Sequence, residues 1–227
     1  MFAVGKNSFR PCKKRYKVIP KNINTQISVA LIWLFHVCGV LGILFGNREL
    51  FIAFTPVNLF LTFMLLFVNQ PKMDAMVVRV AGIAFGVGLL AEILGVNYGL
   101  IFGNYIYGEN LGVKVFGVPL LIGVNWIVLT FITGATTSRW ISNPWMAGIV
   151  GALLMVVLDL FIEPVAPKFD FWSFDTPTAP FQNYLGWFLV ALPIQWAYHF
   201  YVKEKDTTFS YHLLIIQFLF FGTFALL

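Results

Sequence analysis

Charge is scarce in this chain. Of its 227 residues, 15 are Lys or Arg and 10 are Asp or Glu, 11% in all, where a soluble domain carries about a quarter. Cysteine is scarcer. Cys12 and Cys38 stand far apart, and neither belongs to a CxxC or Cys/His cluster. No zinc, iron–sulfur or haem-attachment pattern results, no metal ligand is assigned, and no disulfide framework is implied. The chain also has no Gly-rich phosphate loop, no DDxxD diphosphate motif and no serine nucleophile elbow. Recognisable nucleotide and prenyl-diphosphate binding is therefore excluded. Histidine occurs three times, as His36, His199 and His212. Each is alone in an apolar run, where bonding across helices is its ordinary role.

What is present is apolar. Hydrophobic residues make up 59% and the mean hydropathy is +0.81, the composition of a polytopic membrane protein. Aromatics reach 18%, with 25 Phe, which suits lipid contact and also a long apolar ligand. Seven stretches approach the length needed to cross about 30 Å of hydrocarbon: 27–46, 50–69, 76–96, 115–135, 144–164, 184–203 and 209–227. The fold expected is all-α, a bundle of about seven transmembrane helices over 27–227, behind a basic tail at 1–26. The seventh stretch is the weakest, since it runs to the last residue. Internal Gly82, Gly86, Gly88, Gly148 and Gly151 suit close helix packing.

The tail carries Lys6, Arg10, Lys13, Lys14, Arg15, Lys17 and Lys21. Read as a nucleic-acid patch or a signal-peptide start, it lacks support, because the apolar run behind it has no small-residue cleavage site. A retained first span with a cytoplasmic tail fits better, and no nucleic-acid partner is expected. That orientation puts twelve basic residues inside, including Lys72, Arg79, Arg139, Lys203 and Lys205, and only Arg48, Lys114 and Lys168 outside, as the positive-inside bias requires. It also puts two connections, about 97–114 and 165–183, on one outer face. Both are rich in Gly, Pro, aromatics and amides.

Six of the ten acids lie in or beside these connections. Glu92, Asp159 and Glu163 fall within or at the end of predicted spans, where an acid is a functional candidate. Asp159 and Glu163 are four apart and share a helix face. Pro164 disfavours helical geometry at Glu163, so the helix is expected to end there. Three carboxyls at one depth would form an acidic cluster, and close like charges in a low dielectric favour a carboxyl that keeps its proton and acts as a general acid. The alternatives are structural: Asp159 bridging helices through Asn125, Arg139 or a Tyr, and Glu163 marking the interface. Around the acids, Asn97, Tyr98, Asn104, Tyr105 and Tyr107 in the first connection, with Asn125, Asp170, Trp172 and Asn183, are candidates to position substrate or water. Tyr184, Trp172 and Trp187 equally suit an interfacial belt.

Four blocks in order, GVNYGLIFGNYIY at 95–107, LGVKVFGVPLLIGVNW at 111–126, LDLFIEPVAPKFDFWSF at 158–174 and PFQNYLGW at 180–187, resemble the membrane carotenoid biosynthesis family that contains the CruF-type carotenoid hydratases. The resemblance covers roughly residues 88–190. It implies cofactor-free addition of water to the terminal double bond of an acyclic carotenoid: protonation to a tertiary cation, then capture by water. By matching position, Asp159 and Glu163 carry over as the acidic pair, Glu92 as the acid ahead of the first block and Asn183 as the amide of the last. The chain departs from the family's pattern at Tyr98-Gly99, where Thr-Gly is expected, and at Glu163-Pro164, where Asp-Pro is expected. Both departures lie near the expected site and leave the substrate and the reaction open. The resemblance further implies the inner membrane of a bacterial cell and association with other carotenoid biosynthesis enzymes. A cyclase or isomerase would use the same protonation. A non-catalytic carotenoid- or lipid-binding subunit would not need it.

Overall fold

A computed structural model describes residues 22–227; the basic residues of the tail and Cys12 lie outside the described residues. The chain folds into long helices joined on one face by elaborate loops. The helices are α1 (Ile23–Phe45), α2 (Arg48–Ala53), α3 (Thr55–Val68), α4 (Ala75–Tyr98), α5 (Leu120–Thr137), α6 (Pro144–Ile162), α7 (Phe181–Tyr201) and α8 (Thr208–Ala225).

Their ends follow local sequence rules. Asn22, Asp74 and Asn143 cap α1, α4 and α6 by accepting backbone N–H groups with their side chains. Pro144 opens α6 at a position where its missing N–H costs nothing. Gly99 closes α4 in the left-handed conformation at φ 64°, its N–H donating to the Gly95 carbonyl.

Seven spans were expected. Six segments among the described residues are long and apolar enough to cross a membrane, and the last stretch, as α8, is one of them. The predicted second span is broken at Phe54, with α2 and α3 together forming one membrane segment. The helix outside the six is α7. It is 21 residues long but carries Gln182, Asn183, Gln195 and His199, and it buries the last three of these against its neighbours. The expected all-α membrane bundle of about seven helices is the fold observed.

α5 is the hub. Every residue from Trp126 to Thr137 is buried, as expected of a helix that is apolar all round. α3, α4, α6, α7 and α8 all pack on it, and α1 packs on α8.

The loops fall on two faces. On one, the Arg48 guanidinium reaches the Lys168 carbonyl at 3.4 Å, Lys168 Nζ reaches the Phe224 carbonyl at 3.1 Å, and Asn110 Nδ2 donates to Ile52 and Phe169 carbonyls at 3.0 and 3.2 Å. On the opposite face, Gln70 Nε2 donates to the Glu204 carbonyl at 2.7 Å and Arg139 to the Thr207 carbonyl at 3.2 Å. The two polar-aromatic connections therefore share a face. They are also joined: β1 (Tyr105–Tyr107) pairs antiparallel with β4 (Trp172–Phe174), in the register Tyr105↔Phe174, Ile106↔Ser173, Tyr107↔Trp172. A small hairpin of β2 (Lys114–Val115) and β3 (Val118–Pro119) completes the cover. Its turn residues Phe116 and Gly117 both have positive φ, 49° and 82°, matching the twist of a two-residue hairpin.

Candidate active site

Glu92 lies in α4 about two turns before Gly99, buried against α5 and the ribbon. Its Oε2 accepts hydrogen bonds from the Tyr105 hydroxyl and, at 2.8 Å, from the Tyr107 hydroxyl; its Oε1 accepts from Trp126 Nε1 at 3.1 Å. The period of two along β1 turns both Tyr rings inward and leaves Ile106 outside. Burial, reinforced by the adjacent Glu92 carboxyl, pushes both phenols well above the ordinary tyrosine range, so they stay neutral donors. Trp126 is held in turn by Trp187, stacked at 4.4 Å and 11°.

The second group is Asp159 and Glu163. The amide of Asn183 on α7 donates to Asp159 Oδ2 and to Glu163 Oε1, both at 2.9 Å, and Trp172 Nε1 donates to Glu163 Oε2 at 3.1 Å. One NH2 has two hydrogens and can serve two acids. Asp159 is 0% exposed, and its Oδ1 has no hydrogen-bond partner. α6 ends at Ile162, as Pro164 requires, yet Glu163 keeps helical dihedrals (φ −53°, ψ −48°) and bonds back to the Asp159 carbonyl at 2.9 Å. The helix ends at Glu163, its C-cap, as expected, but Pro164 does not drive that residue out of helical geometry. That extra helical residue keeps both acids on one face within reach of Asn183.

A cavity of about 10 Å³, near the room one water needs, lies between the two groups, lined by Glu92, Tyr105, Tyr107, Asn125, Glu163 and Asn183 among others. Two larger spaces adjoin it. An apolar cavity of about 90 Å³ between α1, α3, α5 and α8 shares Ile122, Asn125 and Trp172 with it. That cavity shares Thr55, Asn58 and Phe220 with a cleft of about 240 Å³, which is also lined by Phe35, Phe54 and Val57, exposed on the outside of the bundle. On the other side, a vestibule of about 540 Å³ under the loops shares Glu163, Trp172 and Phe174 with the small cavity. Both carboxyls of the pair were expected to face a cavity; Glu163 does, whereas Asp159 lines none of these spaces and sits behind Asn183.

The other expected residues divide. Tyr105, Tyr107, Trp172 and Asn183 bond the carboxyls directly, and Asn125 lines both the small and the apolar cavity. Four were expected near substrate or water and belong instead to the loop framework. Tyr98 ends α4 with 71% exposure. Asn97 donates to the Ile93 and Phe116 carbonyls, tying α4 to the hairpin. Asn104 packs its amide oxygen over Gly99, where a Cβ would meet it at 2.2 Å. Asp170, left-handed at φ 55°, accepts from the Glu109 and Asn110 N–H groups and so pins one connection to the other. Trp187, read as belt, is buried beneath Trp126. Trp126 was missed. Its position mid-span, away from either interface, was the available signal that its indole N–H needs a buried acceptor.

Residues 51–227 match the family described as carotenoid biosynthesis protein. The chain belongs to this family. Family membership and the six apolar helices make it an integral membrane protein of carotenoid biosynthesis. The matched range takes in every residue of the acidic site and its donors. A curated protein named bisanhydrobacterioruberin hydratase, from Haloarcula japonica, is 29% identical over 114 residues, 43% of this chain and 36% of that protein. The match thus spans about a third of that relative's length. No solved structure matches the chain.

Proposed function

We propose that this protein adds water to the terminal trisubstituted double bond of an acyclic, lycopene-like carotenoid. The observation that carries the reading is the position of the small cavity. It lies between Glu163 and Glu92, abuts an apolar cavity that in turn adjoins a cleft on the lipid-facing side of the bundle, and abuts a vestibule under the loops. A hydration site needs those three things: a proton donor, a greasy path for the substrate and a path for water. The hydratase relative supports the same chemistry.

In this reading the carotenoid end enters between α1, α3 and α8 and lays its last double bond beside Glu163. Asp159 and Glu163 share one amide, with no Lys or Arg among the described residues bonded to either, and the pair holds a proton because two adjacent uncompensated charges are too costly there. Glu163 gives that proton to the less substituted alkene carbon, leaving a tertiary cation. Water positioned by Asn125 attacks the cation, and the proton it sheds passes to Glu92, which Tyr105, Tyr107 and Trp126 steady as a carboxylate. Return of that proton to Glu163 through the cavity closes the cycle. The net change is alkene plus water to tertiary alcohol, with no redox step.

The basic-residue count puts the tail and the Lys72, Arg139 and Lys205 face in the cytoplasm and the vestibule outside. The test is expression in a lycopene-producing bacterial host followed by pigment mass spectrometry. Wild type is expected to add the mass of one or two waters. Glu163→Gln and Glu92→Gln are each expected to lower product by about 100-fold or more, the usual weight of a general acid or base. An altered spectrum at unchanged mass would mean that the cation is quenched by cyclisation or isomerisation. Full product from Glu163→Gln would overturn the acid assignment.

A further inference from the structure

Three spaces meet at one side chain. Trp172 is half-buried and lines the apolar cavity, the small cavity between the acids and the vestibule; among the described residues it alone lines all three. It is held from several sides. The ribbon pairs Trp172 with Tyr107, and the two rings meet edge to face at 5.9 Å and 69°. The indole N–H donates to Glu163 Oε2 at 3.1 Å, which ties the ring to the proton donor of the proposed chemistry. Phe174 is two residues on and so on the same face of the strand. It lines the small cavity and the vestibule and lies against the Tyr105 ring at 5.3 Å. The contrast in size across this wall is large. The small cavity holds about 10 Å³, near the room one water needs, and the vestibule about 540 Å³.

We infer that Trp172, backed by Phe174, is a size filter for the nucleophile: it lets water reach the cation and keeps out small alcohols that the vestibule has room for. The inference rests on the hydratase reading. A tertiary cation takes up whichever oxygen nucleophile touches it. Water and methanol each bring a lone pair and a proton to shed, so either could complete the reaction. With methanol, Glu163 would protonate the alkene, the new C–O bond would form to the methanol oxygen, and the hydroxyl proton would pass to Glu92. The product would be a tertiary methyl ether, with no redox change. The cation therefore supplies little selectivity of its own, and the room beside it must supply the rest. Methanol carries one methyl group more than water. A space close to one water in size has no place for that methyl, and packed surroundings resist the addition. The Trp172 ring stands where that place would have to be made, and removing it joins the small cavity to the vestibule.

The test is product partition. Purified protein in detergent receives an acyclic carotenoid in buffer containing methanol, at an alcohol content that leaves its melting midpoint unchanged. Tertiary alcohol and methyl ether are then quantified by mass spectrometry. A short trisubstituted alkene treated with acid in the same solvent gives the ether-to-alcohol ratio of an unshielded cation. Wild type is expected to fall at least about tenfold below that ratio, the usual weight of one carbon too many in a closed pocket. Trp172→Ala is expected to form product more slowly, since Glu163 loses a donor, and to raise the ratio at least about fivefold toward the unshielded value. Trp172→Phe loses the same N–H but keeps most of the wall, so its rate is expected to fall while its ratio stays low. A merely structural role would not separate those two readouts. Phe174→Leu, a milder opening of the same wall, is expected to shift the ratio in the same direction and covers a failure of Trp172→Ala to fold. A wild-type ratio within about twofold of the unshielded one, or a low ratio moved by neither substitution, would overturn the filter and leave the hydratase reading standing. No adduct of either kind from wild type would overturn the hydratase reading, and the filter with it.

Discussion

Glu92 is held by three donors from two elements, none within ten residues of it in sequence. Each is a hydrogen bond to a carboxyl, worth about 1.5–3 kcal/mol when the carboxyl is charged. Trp126→Phe keeps a ring on Trp187 but removes the indole N–H and part of a buried ring, so product formation is expected to fall about tenfold and the melting midpoint to drop with it; initial rates and a detergent melting curve check both. Asn183 is a different case. Its loss leaves two buried carboxyls without their shared donor, and a buried acceptor left unmet costs about 1–3 kcal/mol, more when it is charged. Asn183→Leu is expected to lower the melting midpoint sharply. Adding Asp159→Asn should recover part of that loss, because only one carboxyl then lacks its donor. Additive effects of the two substitutions would mean that the groups are not coupled.

Elements matter here through close approach and through the ribbon. A Cβ on Gly88 would lie 2.2 Å from Trp126 Cγ, so α4 and α5 meet at that glycine. Gly88→Ala is expected to displace the indole from Glu92, reducing both activity and midpoint. Gly186 is tighter still in kind, since its Cβ would meet the Ile101 backbone carbonyl at 2.4 Å, and backbone yields less readily than a side chain. The ribbon places Tyr105 and Tyr107. The Gly108 N–H bonds the Phe171 carbonyl and the Asp175 N–H bonds the Asn104 carbonyl, and the alternation of an antiparallel ladder makes Ile106↔Ser173 a hydrogen-bonded pair. Ile106→Pro is therefore expected to abolish activity by releasing both phenols while helical content by circular dichroism is kept. Ile106→Thr should be tolerated, because the side chain is 65% exposed.

On the scale of the whole molecule, the bundle separates an apolar cleft beside α1 and α3 from a vestibule under the loops that Glu163, Lys168 and Ser173 help to line, and orientation decides which compartment the vestibule faces. With Cys12 and Cys38 replaced by Ser, Thr176→Cys on the vestibule rim is expected to react with a membrane-impermeant maleimide in intact cells. Lys72→Cys on the opposite face should react only after lysis. The reverse pattern would place the vestibule in the cytoplasm. The central position of α5 has a further consequence. It touches most of the other long helices, so substitutions there should unfold the bundle as one unit, whereas α1 and α2, at the rim, should loosen separately.

Sequence alone determined the helices, because crossing a membrane demands long apolar runs and leaves a signal that no tertiary contact is needed to read. It also determined that Asp159 and Glu163 share a face, since 3.6 residues per turn decides that, and that Glu92 is unusual, since an acid in an apolar span is rare. The wide window of apolar residues in α7 was legible as a helix, but its polar face was not, because the amides of Asn183 and Gln195 matter only once α5 and α6 surround them. What tertiary structure decided was which polar residues meet. Asn97, Asn104 and Asp170 look in sequence like Tyr105 and Tyr107, yet Asn97 and Asp170 bond backbone of the loops and helix end, Asn104 packs over Gly99, and the two tyrosines bond Glu92. The pairing of β1 with β4 draws that distinction, and it joins segments some 65 residues apart through backbone hydrogen bonds, which carry no side-chain code. The place of Trp172 against three spaces is of the same kind, set by that pairing and invisible in the segment that carries it.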